Sequence, residues 1–375
     1  MKKTAKKYPL LPFAQLVYDV TRWFPSIYFF EIKLRTKAIS LEKATEMAYQ
    51  VVGNHPVFQM RIDLRGQQYV RDEKVRLQTP YYKIKLWEED SWLYVQVGAN
   101  LVLGDGFSLL VLLDDIYRSY QGEALVKDDY WWYIDQYEQS KQELHYLNSK
   151  KWLENELADV AIPVRPTIDR RWLHPFTLSR IALYEVDYLN ILESIRKFLL
   201  DNHITMDGFI SLCTALAIAE YCGTNEAALT WAHNGRGATE QNIVGCLHRD
   251  IPFKIKASAD KSNLIRQARN QIRSGIAHSD YPYTLTKPNT DRWNYAVNVL
   301  RVPDMQTLVD QFPIPFELLS VPQQKFAYAI LDVEIHESAE RLNIVYRYSA
   351  THYKESSIKK FAALVRKYAE WLLKE

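Results

Sequence analysis

The sequence predicts an α/β protein with two lobes that mix strands and helices in similar proportion. Its 375 residues exceed what one hydrophobic core usually spans, so two lobes are the default expectation. Helix-like and strand-like periodicities occur in both halves of the chain. Between them, the segment Ile162–Thr167 is spaced by prolines and breaks both periodicities. These observations favour two related lobes over a helical bundle or a repeat array.

In the N-terminal half, apolar residues recur with a helical period in some segments and alternate, as in strands, in others. Ser40 has the side chain of a helix N-cap and precedes an amphipathic run. A loop with Gly104 and Gly106 precedes a long amphipathic helix. The expected elements are a helix at 11–20, a strand at 27–34, a helix at 40–52, strands at 57–62, 81–86 and 92–97, a helix at 107–120 and a helix-rich stretch at 130–157.

The C-terminal half restarts the pattern after the proline-spaced segment. The expected elements are a strand at 180–186, helices at 189–200 and 206–221, a strand at 227–232, a helix at 261–276, strands at 293–300, 326–335 and 342–348, and a terminal helix at 356–373. We therefore assign residues 1–162 to the first lobe, 163–177 to a linker and 178–375 to the second lobe.

The charge distribution argues against a nucleic-acid or membrane protein. A net charge of +2 leaves no basic face of the kind that binds a phosphate backbone. The cluster of Lys2, Lys3, Lys6 and Lys7 is typical of a solvated terminus. No stretch reaches the ~18 apolar residues that a membrane helix requires. We therefore expect neither a nucleic acid nor a membrane as a partner.

The three cysteines, Cys213, Cys222 and Cys246, form no CxxC pair and no metal-ligand spacing. An odd and sparse count is typical of reduced thiols in the cytoplasm. No heptad pattern indicates an oligomer. The sequence therefore predicts a soluble, cytoplasmic monomer without a metal.

Several short segments together carry a family resemblance. The loop Gly104–Ser108 follows a predicted strand and precedes a long leucine-rich helix. The other segments, in chain order, are Leu11–Gln15, Asn54–Arg61, Asp128–Tyr137, Lys151–Leu157, Asn234–Arg236, Ile243–Pro252 and His278–Tyr283. In this order they resemble the condensation domains of non-ribosomal peptide synthetases, which belong to the chloramphenicol-acetyltransferase-like acyltransferase superfamily.

The resemblance implies two acetyltransferase-like lobes that form a V-shaped pseudo-dimer around a central tunnel. In such proteins the acyl donor is a thioester on a carrier protein or on coenzyme A, and the product is an amide or an ester. The implied partner is therefore a carrier protein or an acyl-coenzyme A. No permanently bound cofactor is implied, because the phosphopantetheine arm or coenzyme A brings the donor to the protein.

The resemblance also assigns a role to the loop before the long helix. The family motif there is His-His-x-x-x-Asp-Gly, in which the second histidine orients the acceptor nucleophile or takes its proton. With Asp105 and Gly106 as the Asp-Gly pair, the histidine positions fall on Asn100 and Leu101. Leucine can neither accept a proton nor form a hydrogen bond, and an amide is no useful base at cellular pH. Catalysis by the usual base is therefore not expected.

The remainder of the loop is retained. In the family the aspartate turns away from the substrate and holds an arginine, so a structural ion pair between Asp105 and Arg236 is predicted. Gly106 has no Cβ, which leaves room for a tight turn and a close backbone approach. Asn100 and His233, which lies at a predicted strand end, are the candidate substitutes for the missing base. A structural role for His233 is the alternative.

Two functions are consistent with these residues. The first is acyl transfer in a natural-product pathway of the non-ribosomal peptide type, because positioning two reactants supplies much of a rate enhancement and an amine with a lowered pKa needs little help from a base. The second is a non-catalytic docking platform that recruits a carrier protein or a tailoring enzyme. Leu101 favours the second function, and the family as a whole favours the first.

Overall fold

The computed structural model describes residues 6–23, 29–70, 75–158, 161–170, 180–282, 296–320 and 330–374. The chain forms two compact units, each of which is discontinuous in sequence. The first unit comprises Met1–Lys141, Asn234–His248 and Met305–Gln324, and the second comprises Gln142–His233, Arg249–Asp304 and Lys325–Glu375. Strands and helices are present in both units, which confirms the predicted α/β class.

The first unit is built on a four-stranded antiparallel sheet. The unit as a whole contains the strands β1 (Tyr8–Pro9), β2 (Phe29–Thr36), β3 (Met60–Ile62), β4 (Gln67–Val70), β5 (Tyr82–Glu89), β6 (Trp92–Asn100) and β11 (Glu317–Ser320). Its helices are α1 (Pro12–Thr21), α2 (Leu41–Asn54), α3 (Gly106–Gln121), α4 (Tyr130–Ser140) and α9 (Met305–Gln311). The four-stranded sheet has the order β11-β2-β6-β5, and a smaller sheet has the order β1-β4-β3.

A small core fixes α2 on one face of the four-stranded sheet. Side chains of α2, β6 and the segment before β11 meet in it, among them Met47, Leu93 and Ile314. Ser40 accepts a hydrogen bond from the Lys43 backbone N–H, so it caps α2 as the sequence predicts. The opposite face of the sheet carries the alternating polar and aromatic residues of β2, β5 and β6.

The second unit is built on a six-stranded mixed sheet. Its strands are β7 (Ile181–Asp187), β8 (Glu226–His233), β9 (Arg249–Lys256), β10 (Asn298–Arg301), β12 (Leu331–Glu337) and β13 (Leu342–Ser349), in the order β7-β13-β12-β10-β8-β9. Its helices are α5 (Leu144–Leu157), α6 (Leu192–Asn202), α7 (Met206–Cys222), α8 (Lys261–Ala277) and α10 (Glu355–Leu373). β10 runs parallel to β8 and β12, and the other neighbours are antiparallel.

The core of the second unit surrounds α7. This helix is buried on all sides from Met206 to Ala219, apart from Asp207, and it packs against α10, α8 and the sheet. Burial on all sides is typical of a central core helix. Within the described residues no single helix has the length and apolar character of a membrane span, and the pair Leu189–Asn202 and Met206–Cys222 meets that test only together, across a bend of 102°.

The two units divide the chain differently from the predicted boundary at residue 162. The first contiguous segment of the first unit ends at Lys141, and α5 belongs to the second unit. Leu153 and Leu157 of α5 pack in a small core with Val164 and Ala228, which explains this assignment. Segments 234–248 and 305–324 return to the first unit, and local periodicity contains no signal for such long-range returns.

The predicted linker, 163–177, is ordered over its described part, and residues 171–177 lie outside the described residues. The carbonyl oxygen of Pro163 accepts a hydrogen bond from Ala228 N at 2.9 Å, and that of Val164 accepts one from Val297 N at 2.9 Å. Residues 161–170 therefore continue the second unit beside β8. Lys2, Lys3 and Tyr283 of the sequence analysis also lie outside the described residues.

Most predicted elements occur within a few residues of their expected bounds, and the exceptions have local causes. The strand expected at 57–62 is a 3-10 turn, Pro56–Phe58, followed by the short β3. Periodicity alone does not predict strand β9, in which Pro252 interrupts an otherwise alternating run. β9 is an edge strand, where a proline is tolerated since no neighbour needs its missing N–H.

Candidate functional site

The loop that resembles the family motif connects β6 to α3 in the first unit. Strand β6 ends at Asn100, and a turn over residues 101–103 leads to Asp105, the N-cap of α3. Asp105 and Ser108 form a capping box, in which the Asp105 side chain accepts from Ser108 N and the Ser108 side chain accepts from Asp105 N. The loop is therefore fixed to the start of the helix by its own side chains.

Both carboxylate oxygens of Asp105 are occupied by hydrogen bonds. Oδ1 accepts from Ser108 N at 3.0 Å. Oδ2 accepts from Arg236 Nη1 at 2.8 Å, from Leu247 N at 2.9 Å and from His248 N at 3.0 Å. The ion pair predicted between Asp105 and Arg236 is thus present, with the Arg236 side chain fully buried. The carboxylate joins two segments of the first unit and faces protein donors.

The guanidinium of Arg236 is held by carbonyl oxygens as well as by Asp105. Its Nη1 donates to Asn234 O at 2.9 Å, and its Nη2 donates to Ile243 O and Gly245 O, both at 3.1 Å. Gly235 has a φ of +65°, a left-handed conformation that glycine adopts without strain. The Asn-Gly-Arg turn therefore places the guanidinium where it donates to the carbonyl oxygens of Ile243 and Gly245.

Ser108 is the second bridge between the loop and this segment. Its Oγ lies 2.9 Å from Gly245 O, accepts from Gly245 N at 3.1 Å and accepts from Arg236 Nη2 at 3.2 Å. A Cβ on Gly245 would lie 2.9 Å from the ring of Tyr130, so glycine is required for this close approach. No role for Ser108 is predicted from the sequence, although the Asp-x-x-Ser spacing of a capping box is a usable signal.

The positions that resemble the two histidines have different environments. Asn100 is 1% exposed, and its Oδ1 accepts from Val102 N at 2.9 Å, which stabilises the turn. Leu101 follows it and is half-buried. Gly106 is the exposed first residue of α3, and its φ is not in the left-handed region. The loop therefore does not use the backbone freedom of Gly106.

The candidate substitute His233 lies in the second unit. It is the last residue of β8 and is opposite Arg249 of β9. Its ring lies 5.6 Å from that of Trp231, between centroids. Asn100 belongs to the first unit, so the two candidate substitutes are on different units.

A second polar cluster of the first unit is centred on His55. The Nδ1 of this fully buried histidine lies 2.7 Å from Asp128 Oδ2, and its Nε2 lies 2.8 Å from Asp115 Oδ2. Asp128 Oδ2 also accepts from Val244 N at 3.1 Å. The cluster therefore joins the end of α2, helix α3 and the segment that precedes α4 to residues 243–247. Sequence spacing gives no signal for it, because its carboxylates are distant in the chain.

The protonation of His55 follows from its two carboxylate partners. Burial lowers the pKa of His55, but hydrogen bonds and charges from Asp115 and Asp128 outweigh burial, so the pKa is raised above its ordinary value. A raised pKa in the folded state contributes stability that is fully present below the unfolded value of about 6.5. That contribution is lost as the pH rises through the folded value.

We expect His55→Gln to lower the free energy of unfolding by about 3 kcal/mol at pH 6, because it leaves two buried carboxylates without a cation. At pH 9 the loss should be smaller, since the stabilising charge of wild-type His55 is lost as the pH rises through its raised pKa. Urea unfolding at both pH values measures the difference. His145→Gln, at an exposed histidine 2.9 Å from Asp280, is the matched control and should change little. An equal loss from His55→Gln at the two pH values would contradict the assignment.

Metal binding has no support in the described part of the chain, where no group of three or more His, Cys, Asp or Glu side chains has the geometry to hold a metal ion. The Cys213 thiol is fully buried, and burial raises its pKa, which keeps it in the unreactive thiol form. These side chains therefore give no sign of a metal or thiolate centre.

Comparison with known proteins identifies a family for this chain. The chain matches the family model of the condensation domain over residues 84–374. No curated protein sequence matches the chain. Solved structures with the same fold include the epimerization domain from the third module of tyrocidine synthetase B, with a TM-score of 0.77, 15% identity, and coverage of 99% of this chain and 98% of that chain.

Two further structures extend the comparison. The SgcC5 protein from Streptomyces globisporus has a TM-score of 0.78 at 12% identity, and the match covers 97% of this chain and 98% of that chain. A variant of the starter condensation domain of rhizomide synthetase, in complex with C8-CoA, has a TM-score of 0.75 at 12% identity, with coverage of 98% and 94%. Identities this low establish a shared fold only. The family model spans well over half of the sequence, and the chain therefore belongs to the condensation-domain family.

Proposed function

We propose that this protein acts in a natural-product pathway of the non-ribosomal peptide type, where it forms an amide or ester from a thioester-bound acyl donor. The donor would be held on the phosphopantetheine arm of a carrier protein or on coenzyme A. The observation that carries the proposal is the buried pair of Asp105 and Arg236, which holds the β6–α3 loop in a family whose chemistry centres on this loop.

The loop residues of this chain can orient the reactants, but they provide no general base. Leu101 stands at the position of the family's second histidine, and the Oδ1 of Asn100 is engaged in its own turn. Asp105 is surrounded by protein donors, so it has no lone pair directed to a substrate. Acyl transfer would then depend on the orientation of the two reactants and on an acceptor amine that is already neutral. His233 stays a candidate for the proton transfer.

A second function, a non-catalytic docking platform for a carrier protein or a tailoring enzyme, is favoured by the same loop. Leu101 places an aliphatic side chain where the chemistry of the family needs a nitrogen base, and such a base contributes about 10²–10⁴-fold to a rate. A protein that keeps the fold of the loop and omits the base is suited to binding without turnover. In this second function the chain would bind the same carrier protein as in the first, but without forming a product.

Product formation separates the two functions. We expect the purified chain to convert acyl-carrier-protein or acyl-coenzyme A donors and a panel of amines to amides, detected by mass spectrometry. The His233→Ala variant should lose this activity if His233 handles the proton, and His203→Ala, at an exposed histidine outside any strand, is the matched control. Stable binding of a carrier protein with no product from any donor would overturn acyl transfer and support the platform.

A further inference from the structure

The strand β5 has an open edge in the first unit. It is the last strand of the order β11-β2-β6-β5, so only one of its sides pairs with another long strand. The hairpin turn to β6 has two residues, Asp90 and Ser91, both with positive φ. In such a hairpin the closing pair, here Glu89 and Trp92, is hydrogen-bonded, and hydrogen-bonded pairs then alternate along the strands. The backbone groups of Leu86 and Glu88 therefore point away from β6.

A hydrogen bond of Ile84 independently shows the same orientation of the β5 backbone groups. Ile84 N, two residues before Leu86, donates to Leu77 O at 2.7 Å on the open side of β5. Within the described residues, the segment that contains Leu77 therefore pairs with this edge only as far as Ile84. Among the described residues no partner is present for the backbone N–H of Leu86. In the part of the chain that the structure describes, the outward-facing main-chain donors and acceptors of the second half of β5 therefore have no partner.

A cavity of about 560 Å³ lies at this edge. Its lining residues are Thr45, Leu77, Ile84, Lys85, Leu86, Trp87 and Gln96. Leu86 faces α2, because it packs on the small core that contains Met47. Glu88 on the same face accepts a hydrogen bond from Leu41 N at 3.1 Å. On this face, an apolar side chain of a bound segment would fill the cavity. A carboxylate of that segment would instead be repelled by the nearby Glu88 carboxylate.

The opposite face at the same edge is cationic and aromatic. Lys85 and Trp87 project there, beside Tyr94, whose ring stacks on that of Trp87 at 5.2 Å. Lys33 Nζ lies 5.2 Å from the centroid of the Trp87 ring. Neither Lys33 nor Lys85 forms an ion pair with another described residue. Acidic side chains are therefore the complement of this face.

We propose that the open half of β5 binds an extended segment of a partner protein in which apolar and acidic residues alternate, so that the segment extends the sheet by one strand. Side chains of an added strand point alternately to the two faces of a sheet. Apolar residues would enter the cavity beside Leu77 and Leu86, and acidic residues would contact Lys85 and Lys33. Main-chain hydrogen bonds supply affinity in this mode, and alternate side chains supply specificity.

This surface is independent of the β6–α3 loop, so the proposal does not rest on acyl transfer. The probe is a fluorescein-labelled seven-residue peptide that alternates valine and glutamate, and fluorescence anisotropy with the full chain measures its binding. We expect saturable binding that weakens about fivefold or more in Lys85→Glu, because an attractive charge becomes repulsive. The same variant should gain binding of a peptide that alternates valine and lysine.

Matched controls make the result specific to the edge. Lys197→Glu makes the same change of net charge at an exposed position of α6 and should leave binding unchanged. Methylation of alternate backbone nitrogens of the peptide should abolish binding, since it removes donors to the edge. Equal binding by wild type and Lys85→Glu, or no effect of methylation, would overturn the proposal. A dimer that Lys85→Glu disrupts and that excludes the peptide would assign the edge to a second copy of the chain instead.

Discussion

Arg236→Ala should lower the free energy of unfolding by about 3–5 kcal/mol, because it leaves the Asp105 carboxylate buried without its counter-charge. It also removes the donors to Ile243 O and Gly245 O. A loss of this size is a large part of the ~5–15 kcal/mol that holds a typical domain folded. The midpoint of urea unfolding, followed by circular dichroism, measures it.

The matched control is Arg35→Ala, which breaks an ion pair with Glu317 in the same unit. Both side chains of that pair are partly exposed, so the expected loss is about 0–1 kcal/mol. The double variant Asp105→Asn with Arg236→Met removes both charges and should lose less than the two single variants added together. An unfolding midpoint of Arg236→Ala equal to that of Arg35→Ala would show that the buried pair is not a structural link.

Leu101→His should raise the rate of amide formation by about 10²–10⁴-fold if the chain retains an acyl-transfer site, because it supplies the general base at the position that the family uses. The rate should increase with pH through about 6.5, where imidazole loses its proton. Single-turnover reactions with an acyl thioester and an amine, followed by mass spectrometry, give both quantities.

Leu101→Gln is the control for this substitution, since glutamine adds polarity and hydrogen bonding without a base. Equal rates of amide formation in the histidine and glutamine variants would show that a base at this position does not contribute to catalysis. That outcome, together with retained binding of a carrier protein, would favour the docking platform over the enzyme.

The sequence predicts the elements better than their assembly. Helix α3 and strand β6 have strong periodicity, and their bounds are close to those expected. The return of residues 234–248 to the first unit has no local signal, because it is decided by hydrogen bonds between residues far apart in the chain. The contact of Ser108 with Gly245, separated by 137 positions, is one example.

The candidate site divides in the same way. The pairing of Asp105 with Arg236 is predictable because the resemblance to condensation domains indicates Arg236 as the partner. The spacing of the two residues in the sequence alone does not indicate it. The His55 cluster is not predictable from the sequence, since Asp115 and Asp128 become its partners only after α2 and α3 pack together. Charge and periodicity describe single segments, whereas buried polar groups depend on which segments meet.

The discontinuous first unit has a consequence for synthesis on the ribosome. Its sheet is completed by β11, and its buried carboxylate at Asp105 is neutralised by Arg236. A nascent chain that ends at Lys141 contains neither of these, so this unit matures only after residues 234–248 and β11 have also been synthesised. A fragment that ends at Lys141 should therefore form no stable first unit, because it lacks both the strand that completes the sheet and the counter-charge of its buried carboxylate.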